Sequence, residues 1–373
     1  MDTVTHMLLG AVSAQLGFRS HIGRDATWMA AAAALVPDLD IFILPWVGLG
    51  GSGNPAVAHV FSHRGLSHSL LAAPLVAAVV AGGWWAGRRL WLRRRARRQE
   101  SDPAAPSTAA TAPPAPFWML YACALPAALT HPLLDWCTSY GTELFAPITD
   151  TRYACDAVGI IDLFFTGILV ATLVVCFAIR RASAGLLSKA VLAAGWIGFL
   201  AAVGYLVAGR AMHDRAVAEI RGMVAPERVL RAEAYPALGT IFLWRAVAET
   251  EDAFVAARLG PLSGEVRPPE RAPKATGPLV ERARELPQVR NYIWFAMGMV
   301  EARFNPKEGS DVVEFHDMRY GPTTDSISSL WPLRVTFDGA GNVVDVRRVS
   351  PIGPGAAGRW SLVQRMWHDL WGR

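Results

Sequence analysis

The sequence predicts a membrane all-α helical bundle of about six hydrophobic helices, the first of them short, followed by a small β-rich soluble domain. Apolar residues make up 52% of the 373 residues and the mean hydropathy is +0.26, more than a soluble protein of this length normally has. The long hydrophobic runs lie almost entirely in residues 1–209, whereas residues 210–373 have the composition of a soluble domain. We therefore expect two parts of different character.

Six apolar stretches are candidates for membrane helices. A helix needs about 20 apolar residues to cross the hydrocarbon core, or about 17 at the short end, so we expect the first stretch to insert only partly. The stretches are 4–18, 26–47, 69–87, 117–136, 158–179 and 187–209. Together they predict a multi-pass membrane protein.

Basic residues between these stretches predict its orientation. They gather at 19–24, 88–98 and 180–189, and cytoplasmic loops of membrane proteins carry an excess of Lys and Arg. Placing all three segments in the cytoplasm requires an outer N-terminus and six crossings. Residues 48–66, residues 137–157 and the C-terminal domain then lie outside the cytoplasm. Because the same topology explains much of the net charge of +5, we expect no nucleic-acid partner.

The domain boundaries follow from composition. Residues 1–209 form the predicted helical membrane domain, and residues 99–116 within it are rich in Ala, Pro, Ser and Thr, as in a disordered loop. Residues 210–373 form a predicted C-terminal α+β soluble domain. It opens with a polar helical stretch, and its β-type runs include a probable hairpin. These segments are 211–224 for the helix, 240–245 and 311–316 for single runs, and 333–337 with 343–349 for the hairpin.

Ionisable residues recur in otherwise apolar sequence, at positions that the predicted topology places near the outer helix ends. Charges there are costly, so they favour a functional explanation with named partners. Asp2 and His6 are four residues apart and share one helix face. In Pro37-Asp38-Leu39-Asp40, the proline weakens the helix and two carboxylates need a partner.

Two further motifs combine histidine with aspartate or arginine. The segment His63-Arg64-Gly65-Leu66-Ser67-His68-Ser69 precedes an apolar stretch, so we expect His63 in a loop and His68 in the first helical turn. In His131-Pro132-Leu133-Leu134-Asp135, the histidine and the aspartate are four apart and share one face. Asp162, at the start of the next stretch, is a fifth candidate position.

Imidazole nitrogens and carboxylate oxygens together suit zinc, manganese or iron, whereas calcium prefers oxygen ligands alone. A transition metal with an open position supports hydrolysis, because it activates water and polarises a phosphoryl or carbonyl oxygen. We expect zinc first, with Asp40 as a ligand or general base and Arg64 as the binder of an anionic substrate group. The expected metal ligands are His6, Asp38, His63, His68, His131 and Asp135.

Each motif alone also has a structural explanation. Histidines at membrane ends are usually interfacial, and two aspartates can form ion pairs with arginine. Ser67 is a good helix N-cap, and His131 can hydrogen-bond within the bundle. The convergence of four motifs on one predicted side of the membrane favours a metal site over these separate explanations.

Taken together, the motifs resemble the YdjM family of inner-membrane proteins, which is described both as metal-dependent hydrolases and as LexA-binding. The resemblance covers roughly residues 1–170 and continues more loosely into the β-rich tail. It rests on Asp2 with Thr5-His6, Pro37 to Asp40, His63 to Ser69, His131 to Asp135, and Thr138-Ser139-Tyr140-Gly141-Thr142. It implies a bacterial cytoplasmic-membrane protein with hydrolase activity and the same metal-binding residues, but it supplies no substrate.

Three functions compete at this stage. The leading hypothesis is a membrane-bound, metal-dependent hydrolase that acts on a phosphoester or on a lipid-linked or other small-molecule substrate. A non-catalytic membrane adaptor of the LexA-binding type is the second, and a metal or proton transporter is the third, because acids within spans also mark ion pathways. Topology separates the first two, since LexA is cytoplasmic whereas the predicted cluster lies outside. The sequence leaves open whether a protein partner binds.

Overall fold

The protein is described by a computed structural model that covers residues 1–43, 63–101, 115–182, 188–260, 262–266, 268–306, 310–324, 326–349 and 364. A helical N-terminal region is followed by two small antiparallel sheets. This arrangement confirms the coarse prediction of a helical part followed by a β-rich part. Most of the predicted loop at 99–116 and much of the predicted outer segment at 48–66 lie outside the described residues.

The helices of the N-terminal region differ in length from several of the apolar stretches that predicted them. Two 3₁₀ turns, Val36–Leu39 and Leu66–His68, separate some of these helices. The helices are α1 (Thr3–Gln15), α2 (Phe18–Ile22), α3 (Arg24–Leu35), α4 (Asp40–Ile43), α5 (Ala73–Ser101), α6 (Phe117–Trp136), α7 (Leu163–Ala182) and α8 (Ser188–Val224). Two further helices, α9 (Pro278–Arg284) and α10 (Pro287–Phe295), belong to the β-rich part.

Three helices in the described part of the chain are long and apolar enough to cross a membrane, namely α6, α7 and α8. The prediction of six spans is therefore wrong. Helices α1 and α3 have 13 and 12 residues, which at about 1.5 Å per residue is well short of a hydrocarbon core of about 30 Å. Helix α5 has 29 residues, but its second half carries the arginine run from Arg88 to Arg98.

The short helices end where the sequence forces the backbone to turn. Gly17 and Gly23 adopt φ angles of 140° and 84° on either side of α2, a region that side-chain-bearing residues rarely enter. Pro37 lies in the 3₁₀ turn that ends α3, because its ring cannot continue a regular helix. Hydropathy alone does not show these breaks, so the first two apolar stretches were predicted as longer helices than they are.

Small residues allow the first helices to pack closely. Helix α1 lies against α3, and α6 packs on both of them. A Cβ atom added at Gly10 would lie 2.5 Å from the carbonyl oxygen of Ala30 and 2.7 Å from Cβ of Ala34. Such close approach is typical of membrane helices that associate through small residues. It brings the start of α1 beside the end of α3.

The first sheet has five antiparallel strands. Its strands β1, β2 and β3 are consecutive neighbours, and the far edge of β3 pairs with β4 at one end and β5 at the other. They are β1 (Val229–Pro236), β2 (Trp244–Thr250), β3 (Ala253–Gly260), β4 (Glu265–Val266) and β5 (Glu270–Pro273). Because β2 begins at Trp244, only the end of the run predicted at 240–245 forms a strand.

The second sheet is a meander of four strands, β6 (Val300–Asn305), β7 (Ser310–Asp317), β8 (Leu333–Asp338) and β9 (Val343–Arg348). The predicted strand at 311–316 and the predicted hairpin are confirmed, with Val335 opposite Val346 across the hairpin. Helices α9 and α10 cover this sheet, and Tyr292 and Phe295 are fully buried against it.

Helix α8 connects the two parts of the chain. It continues unbroken through the predicted junction at 209/210 to Val224. Its end packs on β1 and β2, where Ile220 shares a core with Trp244 and Ala246. The first sheet is thus packed directly on the last candidate membrane helix.

The close approach of α1 to α3 gives a testable prediction. Gly10→Val should destabilise the protein by about 1–3 kcal/mol, because added methyl groups in a filled space force the helices apart. Thermal unfolding of the detergent-purified protein measures this loss. The control is Gly83→Val in α5, where an added Cβ meets nothing within 4 Å. Equal stability of the two variants would contradict the packing described for α1 and α3.

Candidate metal centre

The start of α1 places His6 inside the protein. Asp2 is the N-cap, and its Oδ1 accepts a hydrogen bond from the backbone N–H of Thr5 at 3.0 Å. This bond satisfies one of the free N–H groups at the helix start. His6, one turn further on, is fully buried. Asp2 itself therefore caps the helix on which His6 stands.

The break at the end of α3 presents two carboxylates. Asp38 lies in the 3₁₀ turn with Pro37 and is buried, and Asp40 begins the short helix α4 and is also buried. A regular helix would place Asp38 and Asp40 on different faces, because each residue is rotated by about 100° from the one before it and these two are two positions apart. The turn that Pro37 introduces brings both toward the same cluster.

The segment from His63 to Leu70 is fastened to the loop that follows α6. The N–H of Glu143 donates to the carbonyl of Arg64 at 3.0 Å, and the N–H of Leu70 donates to the carbonyl of Leu144 at 2.9 Å. His68 lies in the 3₁₀ turn, ahead of α5, which begins at Ala73. The prediction that His68 stands in the first turn of the helix is therefore wrong, although His68 is fully buried as a site residue must be.

The end of α6 supplies the last two residues. His131 and Asp135 are one turn apart and buried. The Nδ1 of His131 donates to the carbonyl of Ala34 on α3 at 2.6 Å. Since one ring nitrogen of a neutral imidazole is protonated and the other is not, this bond leaves Nε2 of His131 with a free lone pair.

These segments converge on four donor atoms. Oδ1 of Asp38 lies 3.3 Å from Nε2 of His68 and 3.4 Å from Nε2 of His131. Oδ2 of Asp135 lies 3.7 Å from Nε2 of His68 and 3.4 Å from Nε2 of His131. Two imidazoles and two carboxylates from one helix and two 3₁₀ turns thus face one another.

The remaining two predicted ligands lie at the edge of this group. One ligand atom each from His6, Asp38 and His131 lie within 4.8 Å of one another, and the same is true of Asp38, His63 and His68. The ring of His6 stacks on that of His131 with centroids 3.8 Å apart. The structure therefore brings together all six residues that the sequence predicted as metal ligands.

The donor set fits a metal ion by two tests. Buried atoms without a hydrogen-bond partner among the described residues include Nε2 of His131, Oδ2 of Asp135, Oδ2 of Asp38 and Nδ1 of His6. Unpaired buried polar atoms are costly and rare in native proteins. Metal–ligand bonds of about 2.0–2.2 Å in a tetrahedron imply donor separations of roughly 3.3–3.6 Å, close to those observed. Buried His and Asp groups of this protein can therefore hold a metal ion.

Asp40 lies behind the cluster. Its Oδ2 accepts a hydrogen bond from Ser67 at 2.7 Å and lies 3.3 Å from Nδ1 of His68, and its Oδ1 lies 2.9 Å from Nδ1 of His63. Burial opposes ionisation of Asp40, but the bonds from His63 and His68 hold the pKa of its carboxyl well below the usual range. Burial lowers the pKa of His63, which favours its neutral form.

Arg64 is held in an uncommon backbone conformation beside Asp135. Its φ angle is 67°, and such conformations persist only where the surroundings over-determine them. Nη2 forms an ion pair with Oδ1 of Asp135 at 3.0 Å, Nη1 donates to Thr138 at 2.7 Å, and the guanidinium lies 4.6 Å from the ring centre of Tyr140. The amino group of Met1 contacts the same oxygen of Asp135.

Asp162 does not join the cluster. Its carboxylate accepts hydrogen bonds from the N–H of Phe165 at 2.8 Å and from the hydroxyl of Tyr205 at 3.0 Å. It caps α7, so its candidacy as a site residue is wrong. Sequence analysis also missed a separate group in the described residues, formed by Asp156, His213 and Glu233. No motif joins these three residues, so no sequence signal marked them.

The fold and the cluster define a class, that of helical membrane proteins with a buried His/Asp group able to hold a metal. The family model described as the YdjM inner membrane protein matches residues 1–211. The chain belongs to the YdjM family, as the motifs indicated. No curated protein and no solved structure matched the chain.

Removal of metal gives a second prediction. EDTA should lower the thermal unfolding temperature by several degrees, because a metal at about one hundred times its Kd stabilises the folded state by about 2.7 kcal/mol. The double variant His68→Ala/His131→Ala should lose the part of this response that comes from the cluster, as measured by thermal unfolding with and without EDTA. His316→Gln, which changes a buried histidine of the second sheet, is the matched control and should respond like wild type. A double variant that responds fully would contradict a metal at this cluster.

Proposed function

We propose that this protein is a multi-pass hydrolase of the bacterial cytoplasmic membrane, dependent on a divalent transition metal, with zinc as the expected ion. The observation that carries the proposal is the facing set of Asp38, His68, His131 and Asp135, with buried nitrogen and oxygen atoms that lack hydrogen-bond partners in the described structure. Hydrolysis is the chemistry that such a donor set most often serves when it includes an open position.

In this proposal the four facing residues hold the metal, and His6 and His63 lie close enough to complete one site or to extend it to a second ion. A metal bound here would polarise a phosphoryl or carbonyl oxygen and lower the pKa of water. The outer hydrogen bonds orient the ligands: the carbonyl of Ala34 fixes the ring of His131, and Asp40 fixes that of His68. Such partners normally set the tautomer and raise the basicity of the ligand.

Asp40 and His63 take linked roles. Asp40 holds Nδ1 of His63, so Nε2 of His63 is free to bind an ion or accept a proton. The His63 side chain is 16% exposed whereas those of His6, His68 and His131 are at 0%, so His63 marks the side from which a substrate arrives. We assign Asp40 to positioning His63 and His68 rather than to direct contact with the substrate.

Arg64 is the candidate for binding an anionic group. Two of its nitrogens are engaged by Asp135 and Thr138, but its Nε is buried without a hydrogen-bond partner in the described residues. Guanidinium groups bind phosphate oxygens strongly through charge-assisted hydrogen bonds. An anionic phosphoester would therefore place its charge beside Arg64 and its reacting centre beside the four facing residues.

The surroundings of the open side favour a substrate with an apolar portion. Large apolar side chains close in sequence to the site residues are exposed, and a lipid environment would cover them. They are Ile41, Phe42, Leu66, Phe145 and Ile148. A phosphoester carried on a lipid would match both features. Its charged headgroup suits the polar cluster, and its acyl chains suit the exposed apolar side chains.

The basic segments support an outer location of the cluster. At the end of α1 away from His6, Arg180 donates to Gln15 at 2.7 Å, and Arg19 lies in the same region, donating to Thr27 at 3.0 Å. Arg88 pairs with Asp25 at the start of α3, also remote from Asp38. The basic residues thus gather at the helix ends opposite the cluster. By the positive-inside rule, the basic ends are cytoplasmic and the cluster faces outward.

Hydrolysis by defined variants tests the proposal. The metal-loaded protein in detergent should hydrolyse members of a panel of phosphoesters and phospholipids, and His68→Ala and Asp38→Asn should each reduce kcat/KM by about a thousandfold or more, because they remove groups that hold the metal. Phosphate release and bound metal are measured on the same samples. Asp25→Asn, an aspartate on the basic side of α3, is the control.

The same assay distinguishes the competing functions. Loss of the cluster's metal and of hydrolysis in His68→Ala, with both retained in Asp25→Asn, supports the hydrolase. Metal that binds through the cluster without hydrolysis of any member of the panel would favour the adaptor. Hydrolysis that survives His68→Ala unchanged would overturn the proposed site.

A further inference from the structure

A second group of metal-type ligands lies outside the cluster described above. Asp156 comes from the loop between α6 and α7, His213 from α8, and Glu233 from β1. One ligand atom from each lies within 4.8 Å of the others. The three residues are far apart in the chain and share no member with the cluster around Asp38.

His213 is oriented as a metal-binding histidine would be. Its Nδ1 lies 3.1 Å from Oδ1 of Asp214, and Nη2 of Arg210 donates to the same oxygen at 2.6 Å. Its Nε2 is buried, has no hydrogen-bond partner in the described part of the chain, and lies 3.7 Å from Oε2 of Glu233. Histidine ligands usually donate their second ring N–H to a carboxylate in this way, which directs the free lone pair at the metal.

Asp156 and Glu233 each also have a carboxylate oxygen that is available to a metal ion beside His213. Nε of Arg231 donates to Oε1 of Glu233 at 3.3 Å, which leaves Oε2 facing His213. Asp156 is 8% exposed, and its Oδ1 has no hydrogen-bond partner among the residues described. Burial raises the pKa of the Asp156 carboxyl, the direction expected for an acid whose charge has too little compensation. Asp156 also adopts a φ angle of 52°.

Two of the three residues, Asp156 and Glu233, border a polar cavity. It has a volume of about 290 Å³, and Asp156 and Glu233 line it together with Arg152, Arg210, Arg231 and Arg319. Three protein ligands beside a cavity leave a coordination position open to it, which is the arrangement of a metal site that binds a further group. The arginines make an anion the most suitable further group.

We infer that Asp156, His213 and Glu233 form a second binding site for a divalent transition metal of the zinc class, with an open position toward the arginine-lined cavity. An ion there would link α8 to β1 and to the loop that follows α6. The site is independent of the proposed hydrolase function, because it uses none of the residues assigned to hydrolysis.

Cobalt binding tests this inference with the first cluster removed. The full-length His68→Ala/His131→Ala chain in detergent should still bind about one equivalent of Co²⁺, with the visible absorption of a site of low coordination number. Adding His213→Gln should abolish that binding. Asp214→Asn should weaken it by about 10–100-fold, because it removes only the group that orients the imidazole.

The matched control is His316→Gln. His316 is also buried and also faces a glutamate, with Nε2 3.5 Å from Oε2 of Glu314, but it belongs to none of the three-ligand groups found in the described residues. Its loss should leave cobalt binding unchanged. Zinc content of the otherwise wild-type chain provides a second measurement, in which His213→Gln should lower the content by about one equivalent. Equal zinc content in wild type and His213→Gln would overturn the inference, and would indicate a protonated His213 paired with Asp214 and Glu233.

Discussion

The pairing of Asp135 with Arg64 is the interaction on which the rest of the site depends. A buried carboxylate without a cationic partner costs several kcal/mol, and Asp135 is almost fully buried at the end of an apolar helix. Arg64 compensates one oxygen, so the other remains available to face His68 and His131. Arg64 reaches this place only with a positive φ angle, which the surrounding contacts must sustain.

The β-rich part supplies those contacts. Arg319 in the segment after β7 is fully paired with Asp317, and its guanidinium donates to the carbonyls of Ser139 and Tyr140 at 3.0 and 3.1 Å. Tyr140 in turn lies beneath Arg64. The second sheet thus fixes the loop after α6, and that loop fixes the arginine that neutralises Asp135. These contacts give the β-rich domain a structural role, because it holds the loop after α6 and thereby Arg64 in place beside the site.

The motifs predicted the site better than they predicted the fold. The Pro37 turn and the i, i+4 pair at His131 and Asp135 are local patterns, so the sequence alone indicated residues that the fold brings together. The described residues hold fewer candidate spans than the six predicted, because α1 and α3 are short and α5 carries arginines along its second half. The group of Asp156, His213 and Glu233 had no motif, since only the packing of α8 on β1 and on the loop after α6 brings it together.

We propose that Asp38, His68, His131 and Asp135 bind one ion directly. X-ray absorption at the metal edge of the metal-loaded His213→Gln protein tests this binding most directly. The variant lacks the second proposed site, so the spectrum reports on metal bound at the first cluster. The account predicts nitrogen and oxygen ligands at about 2.0–2.2 Å and the outer-shell scattering of at least two imidazoles. Loss of that imidazole scattering when His68→Ala and His131→Ala are added to His213→Gln would complete the assignment. Sulfur ligands, or a spectrum of a hydrated ion without imidazole, would contradict it.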